Sequence, residues 1–194
     1  KVDDSEILSK LHQEFEGHII LVMASGKTVE TYRQQIQEFV DQKEPIIISI
    51  NFEPGDIKAD YVFFTNTIRW EEYPNKKQRD KCIVSSNIHT DTEGTLSVNY
   101  SSLIEEGSIL PDNSTIMLLN LLHQIGVGEI AIAGFDGLDE QSENYISGTS
   151  PNQTIDMSYR EVNETIRGLL QSYKNRVSDN VKLYTITPSK YWES

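Results

Sequence analysis

Short, unbroken apolar runs alternate along the chain with stretches in which apolar residues recur at helical spacing. A run that is apolar at every position indicates a strand buried on both faces of a sheet. Such strands are predicted at residues 18–24, 46–50, 61–64, 82–84, 129–133 and 181–186. Buried strands that alternate with helices predict an α/β fold. We expect a three-layer, Rossmann-like, open and mostly parallel sheet with helices on both faces.

The stretches between these runs show the spacing of amphipathic helices. Helices are predicted over residues 5–15, 28–42, 67–73, 113–126 and 158–176. Residues 95–100 alternate between apolar and polar, which favours an exposed or edge strand. The polar stretch 138–156 is the longest predicted loop, and a loop of that length is a candidate lid.

Length and composition favour one domain and a cytoplasmic location. The 194 residues fit a single core, so we expect one domain over residues 1–194. The sequence does not begin with Met, and we expect it to be the C-terminal part of a longer protein. No apolar stretch has the length of a membrane span or the pattern of a signal peptide. The single cysteine, Cys82, excludes an internal disulfide and opens an apolar run, which favours a place in the core.

The net charge of -13 argues against two classes of partner. An acidic surface repels both phosphate backbones and anionic lipid, so we expect neither nucleic acid nor membrane as a partner. The same charge is also typical of ordinary solubility.

Small and amide residues follow several of the predicted strands. Because parallel strands end at one edge, and ligands of open α/β sheets bind outside the carboxyl ends, these residues are expected to line one crevice. The alternative is that Asn, Ser and Gly occur there only as turn residues. The candidate binding residues are Ser25, Gly26, Lys27, Thr28, Asn51, Asn66, Ser86, Asn87, Asn113, Ser114, Gly134 and Asp136.

The turn Ser25–Thr28 joins the first strand to a helix, where free backbone N–H groups favour an anion. Gly26 would permit close approach to a ligand, and Lys27 would add a positive charge. The turn is not a Walker A loop, because the position of its first glycine holds Leu21. In the alternative interpretation Thr28 is a helix cap and Lys27 is solvated.

Two further strand-end groups resemble ligand contacts. Asp136 lies between two glycines and could hold a ribose or sugar hydroxyl or a metal, or could cap the following turn. Residues 112–115 open another helix at the same edge, and one of them must cap it. The four histidines, of which His89 lies in a loop near this edge, form no visible catalytic trio and no metal-ligand spacing, so catalytic residues stay unassigned.

Four segments together resemble one protein family. They are residues 20–28 (ILVMASGKT), 48–52 (ISINF), 60–66 (DYVFFTN) and 130–137 (IAIAGFDG), and residues 112–114 (DNS) also match. The combination is similar to the C-terminal domain of bacterial aldolase-like proteins of the 4-hydroxy-2-oxovalerate aldolase family, often linked to surface-polysaccharide loci. The likeness covers most of residues 17–137.

The resemblance implies that aldolase chemistry and its divalent metal belong to an N-terminal barrel like that of hydroxymethylglutaryl-CoA lyase, which these residues do not resemble. The layout is more remotely similar to bacterial sialyltransferases that bind a cytidine-monophosphate sugar. By that likeness Gly26, Asn51 and Asn66 would hold a nucleotide. Those transferases use a lid histidine as base, and residues 138–156 contain none.

Three hypotheses of different classes remain. The first is an accessory or regulatory domain, not catalytic itself, that binds a nucleotide or phosphorylated sugar for an attached aldolase barrel. The second is a glycosyltransferase-like nucleotide-sugar enzyme, against which the missing base argues. The third is a scaffold or oligomerisation domain, against which the polar crevice argues. None requires a cofactor in this chain beyond that small anionic ligand.

Overall fold

A computed structural model of the chain describes residues 1–75, 77–141, 143–145 and 156–192. Its strands form one seven-stranded sheet in which every pairing is parallel. The strands are β1 (Ile20–Met23), β2 (Ile46–Ile50), β3 (Tyr61–Phe64), β4 (Cys82–Ser85), β5 (Leu96–Val98), β6 (Glu129–Ala133) and β7 (Lys182–Thr185). Their order is β5-β4-β3-β2-β1-β6-β7. The Rossmann-like α/β fold predicted from the sequence is confirmed.

Helices cover both faces of this sheet. They are α1 (Ser5–Phe15), α2 (Thr28–Thr31), α3 (Arg33–Lys43), α4 (Thr67–Glu72), α5 (Ser114–Ile125) and α6 (Tyr159–Val177). The cores identify the layers, because α1, α5 and α6 share one buried cluster and α2, α3 and α4 share the other. In the described part of the chain no helix is long and apolar enough to cross a membrane.

The unbroken apolar runs reflect burial on both faces. Successive strand residues point to opposite sides, so Val22 packs toward α1, α5 and α6, while Leu21 packs toward α2 and α3. All four residues of β1 are fully buried. Cys82 is buried as expected, and burial raises the pKa of its thiol to about 11.

The strand order reverses at β1. From β1 the chain builds β2 to β5 on one side, and it then returns to place β6 and β7 on the other. In open α/β sheets the crevice at such a reversal is the usual ligand site. The turn Ser25–Thr28 follows β1 and lies at this point, at the carboxyl end of an interior strand as predicted.

Several element bounds differ from the predictions. The helix predicted over residues 28–42 is two helices, because Tyr32 leaves helical dihedrals between α2 and α3 (φ -111, ψ 27). The spacing of apolar residues does not reveal a change of backbone dihedrals at a single residue. The first strand is shorter than residues 18–24, and the edge strand β5 is shorter than residues 95–100. Ser142 and residues 146–155 of the predicted polar loop 138–156 lie outside the described residues.

Two glycines let the loops after β1 and β6 touch. The Gly26 N–H group donates to the Gly134 carbonyl oxygen at 2.8 Å. A Cβ atom on Gly26 would lie 2.3 Å from that oxygen, and one on Gly134 (φ +77) would lie 2.3 Å from the Ala24 carbonyl oxygen. Real Cβ atoms do not approach so closely, so both positions require glycine. The close approach predicted for Gly26 is made by the backbone of Gly134 in the same chain.

We predict that Gly134→Ala lowers the free energy of unfolding by more than about 2 kcal/mol, because the positive φ is strained for alanine and the Cβ atom meets backbone. Gly168→Ala is the matched control, since its Cβ atom would meet nothing within 4 Å. In the exposed interior of α6 that change should raise stability by up to about 1 kcal/mol. Urea unfolding followed by circular dichroism measures both. Equal effects of the two substitutions would contradict the contact between the loops.

Candidate functional site

All the predicted strand-end residues lie along one edge of the sheet, because every strand is parallel. We call this edge, with the residues that directly follow the strands and the start of α5, the carboxyl rim. It falls into two parts. The first is the junction of β1 and β6, with Ser25–Thr28 and Gly134–Asp136, and the second extends over the ends of β2, β3 and β4.

In the junction, a carboxylate of the chain itself lies at the start of α2. Asp136 Oδ2 accepts the Thr28 N–H group at 2.9 Å, and Asp136 Oδ1 accepts the Thr28 hydroxyl group. Burial raises the pKa of Asp136, and the two hydrogen bonds from Thr28 oppose that rise. The N–H group expected to meet a ligand anion is thus already satisfied. The Asp136 carboxylate thus caps the start of α2 from a distant part of the chain.

Lys27 is also engaged within the chain. Its ammonium group lies 2.6 Å from a Glu30 carboxylate oxygen and 2.9 Å from a Glu143 oxygen. Hydrogen bonds with these two carboxylates raise the pKa of Lys27. The Lys27 ammonium group therefore pairs with two carboxylates of the chain, whereas the sequence predicted that it either binds a ligand anion or is solvated.

The described residues 143–145 extend over the Ser25–Thr28 turn. The Lys27 N–H group donates to the Asn144 carbonyl oxygen at 3.2 Å, and Tyr145 forms an antiparallel bridge with Gly26. Burial raises the pKa of Tyr145, while the nearby charge of Arg69 lowers it. This part of the predicted polar loop 138–156 therefore contacts the Ser25–Thr28 turn.

In the second part of the rim, the side chains of several candidates bond to backbone. Asn66 Oδ1 accepts the N–H groups of Ile68 at 2.9 Å and Arg69 at 3.2 Å, so Asn66 caps α4. Asn113 caps α5 by accepting the Ile116 N–H group at 3.1 Å. In both cases the side-chain oxygen bonds to the helix, and the amide nitrogen is the group that can still donate a hydrogen bond.

Hydroxyl and amide groups join the ends of β3 and β4 to the start of α5. Thr65 Oγ1 and Ser114 Oγ are 2.6 Å apart. Asn87 Nδ2 donates to the Thr65 carbonyl oxygen at 2.9 Å, and Asn87 Oδ1 accepts the Ser85 hydroxyl group. Ser86 Oγ, in turn, accepts the backbone N–H group of Tyr100, just after β5, at 3.0 Å. This network fixes the rim but uses most of its own polar groups.

Asn51 is the exception. It adopts a left-handed conformation (φ 68) at the end of β2, where its N–H group donates to the Phe63 carbonyl oxygen at 3.0 Å. Its Oδ1 atom is buried and accepts no hydrogen bond within the described part of the chain. A buried amide oxygen without a partner is uncommon in native proteins and calls for an explanation.

Sequence reasoning missed three residues of the rim. Thr65 bonds to both Ser114 and Asn87 and so links β3 to α5 and to the end of β4. The charge of Arg69 acts on the hydroxyl group of Tyr145. The position of Thr65 directly after β3 was a usable signal. Nothing local marks the other two, because they meet only through the fold. His89 is exposed.

Among the described residues, no group of three or more His, Cys, Asp or Glu side chains is arranged to hold a metal ion. Comparison of the chain with protein-family models and with curated proteins gives no match.

We predict that Asp136→Ala lowers the free energy of unfolding at neutral pH by about 1–3 kcal/mol, because the Thr28 donors lose their acceptor. Asp136→Asn should cost less than that or nothing, since it keeps an acceptor and removes the carboxylate charge that burial disfavours. Urea unfolding of the two variants measures the difference.

The pH dependence gives a second readout of the same pair. A raised folded-state pKa means that the stabilising contribution of the carboxyl group is full below the unfolded-state pKa and is lost as pH rises through the folded-state pKa. The wild type should therefore lose stability relative to Asp136→Asn as pH rises through that window. Equal costs of the Ala and Asn variants, with parallel pH profiles, would contradict the cap.

Proposed function

We propose that this chain is a ligand-binding domain that takes a nucleotide or a phosphorylated sugar at the carboxyl rim, over the ends of β2 and β3. The observation that carries the proposal is the unpartnered, buried Oδ1 atom of Asn51. Asn51 follows β2, which pairs with β1, the strand at which the strand order reverses. The oxygen is closed to solvent in this conformation, and a rotation of the Asn51 side chain would let a ligand hydroxyl or amine donate the hydrogen bond that it lacks.

The neighbouring groups support the same class of ligand. Because Asn66 and Asn113 use their oxygens as caps, their amide nitrogens can donate to ligand oxygens. The first N–H groups of α5, at Ser114 and Thr115, have no acceptor within the helix, and α5 is long enough for its dipole to favour an anion there. Sugar and base edges would meet the amides, and a phosphate would meet α5.

The junction of β1 and β6 takes a supporting part in this proposal. Asp136 and Glu143 already neutralise the start of α2 and Lys27, so a second anion at the Ser25–Thr28 turn would meet repulsion. The phosphate is therefore placed away from the turn favoured by the sequence. Ser25, Gly26, Gly134 and Asp136 shape the crevice wall.

We further propose that the domain serves a cytoplasmic aldolase-like protein as an accessory module attached to a catalytic barrel. The support is the resemblance of the four segments described above. In this role the domain senses or holds the ligand and does not itself cleave carbon-carbon bonds.

Asn51→Gly tests the site without disturbing the fold, because glycine adopts positive φ freely and the substitution removes only the side chain. Thermal-shift screening against nucleoside monophosphates and hexose phosphates should find a stabilising compound, and calorimetry then gives its affinity. We expect Asn51→Gly to weaken binding about tenfold, the effect of one lost hydrogen bond in a buried site.

The matched control is Glu44→Gly, which relieves the same kind of backbone conformation (φ 47) at the far end of β2. It should bind the compound as tightly as the wild type does. The proposal is wrong if no compound of the panel stabilises the chain, or if the two glycine variants bind equally well.

A further inference from the structure

The segment that follows β7 lies against the loop that carries Asp136. β7 ends at Thr185, and beyond it residues 187–191 form hydrogen bonds with residues 134–138. We call residues 187–191 the clasp. It lies at the β7 edge of the sheet, on the other side of β1 from the strands over which the ligand is proposed to bind.

Two hydroxyl side chains of the clasp bond to the backbone of this loop. Thr187 Oγ1 accepts the Gly134 N–H group at 3.0 Å, and the Ser189 hydroxyl group donates to the Phe135 carbonyl oxygen. Thr187 and Ser189 are both buried. Because water does not reach buried groups, a loop group that loses its clasp partner stays unsatisfied until the segment opens.

The next clasp residues reach Asp136 itself. The Lys190 N–H group donates to the Asp136 carbonyl oxygen at 2.8 Å. The ring of Tyr191 packs on that of Phe135, with the centroids 4.4 Å apart. A Cβ atom on Gly137 (φ +87) would lie 2.8 Å from the Lys190 Cβ atom, so the loop and the clasp are in direct contact.

Asp136 is therefore held on two sides. Its carbonyl oxygen accepts from Lys190 in the clasp, and its carboxylate accepts from Thr28 at the start of α2. Hydrogen bonds weaken steeply once the donor and acceptor atoms separate beyond about 3.2 Å. The cap on α2 thus requires the main chain of Asp136 to stay where the clasp holds it.

We propose that the clasp is a conformational switch for the start of α2. With the clasp in place, Asp136 caps the helix. When residues 187–191 detach, Asp136 withdraws and the Thr28 donors lose their acceptor. A partner that binds only the detached clasp would shift the population toward the uncapped state. This inference does not depend on the ligand proposed for the carboxyl rim.

Hydrogen exchange of the full, isotope-labelled wild type tests the switch without any substitution. The amide protection factor reports how often each hydrogen bond opens. If detachment of the clasp uncaps α2, the Thr28 amide opens at least as often as the Lys190 amide. We expect the protection factor of Thr28 to be no greater than that of Lys190.

The double substitution Thr187→Val and Ser189→Ala removes both hydroxyl groups of the clasp. The protection factor of the Thr28 amide should fall at least about tenfold more than that of the Asn51 amide. Asn51 also bonds at the end of an interior strand, to the Phe63 carbonyl oxygen, so its amide measures any general loss of stability.

The matched control is Thr95→Val with Ser102→Ala. These changes remove the same two kinds of hydroxyl hydrogen bond to backbone, next to β5 at the other edge of the sheet. They should change the protection of the Thr28 and Asn51 amides equally.

Asp136→Ala shows whether the clasp acts through the cap. In this background the Thr28 amide has already lost its acceptor, so the two clasp substitutions should lower its protection by less than about a further twofold. The proposal fails if Thr28 is more protected than Lys190 in the wild type. It also fails if the clasp substitutions affect Thr28 and Asn51 equally, or affect Thr28 equally with and without Asp136.

Discussion

The pair of hydrogen bonds from Thr28 to the Asp136 carboxylate joins the two halves of the sheet at the point where its strand order reverses. With the contact between Gly26 and Gly134, it brings the loops after β1 and β6 so close that neither glycine accommodates a side chain. The start of α2, which many proteins of this architecture offer to a phosphate, is thereby satisfied from within. The function proposed for the carboxyl rim depends on this contact. Because the polar groups at the end of β1 are engaged by it, the groups that can still bind a ligand are those at the ends of β2 and β3 and at the start of α5.

The charges around Lys27 also disfavour an anion at the Ser25–Thr28 turn. Glu30 and Glu143 neutralise Lys27, and the segment that carries Glu143 continues across the turn to Tyr145. An incoming anion at the turn would have to displace carboxylates that are already in place. By contrast, the amide oxygen of Asn51 has no partner in the described residues, and its left-handed backbone holds it at the end of β2. The proposed ligand site is therefore centred on Asn51 and not on the turn.

The sequence alone predicts the layers and nearly all the elements, because periodicity reports which face of a strand or helix is buried. It also places Asn51, Asn66 and Asp136 on one edge, since that follows from parallel strands. It does not predict which of them is engaged. Thr28 and Asp136 are 108 positions apart, and a cap at that separation leaves no local pattern. Asn87 likewise bonds to Thr65, 22 positions away. The caps formed by Asn66 and Asn113, by contrast, are local contacts at the start of a helix.

The most direct test of the central claim is a map of amide signals by nuclear magnetic resonance during titration with a nucleoside monophosphate. The account predicts the largest shifts at Asn51, Asn66, Ser114 and Thr115, with the Thr28 amide nearly unchanged because Asp136 keeps its hydrogen bond. Large shifts at Gly26, Lys27 and Thr28, with Asn51 unchanged, would show that the ligand displaces Asp136 and would contradict the account.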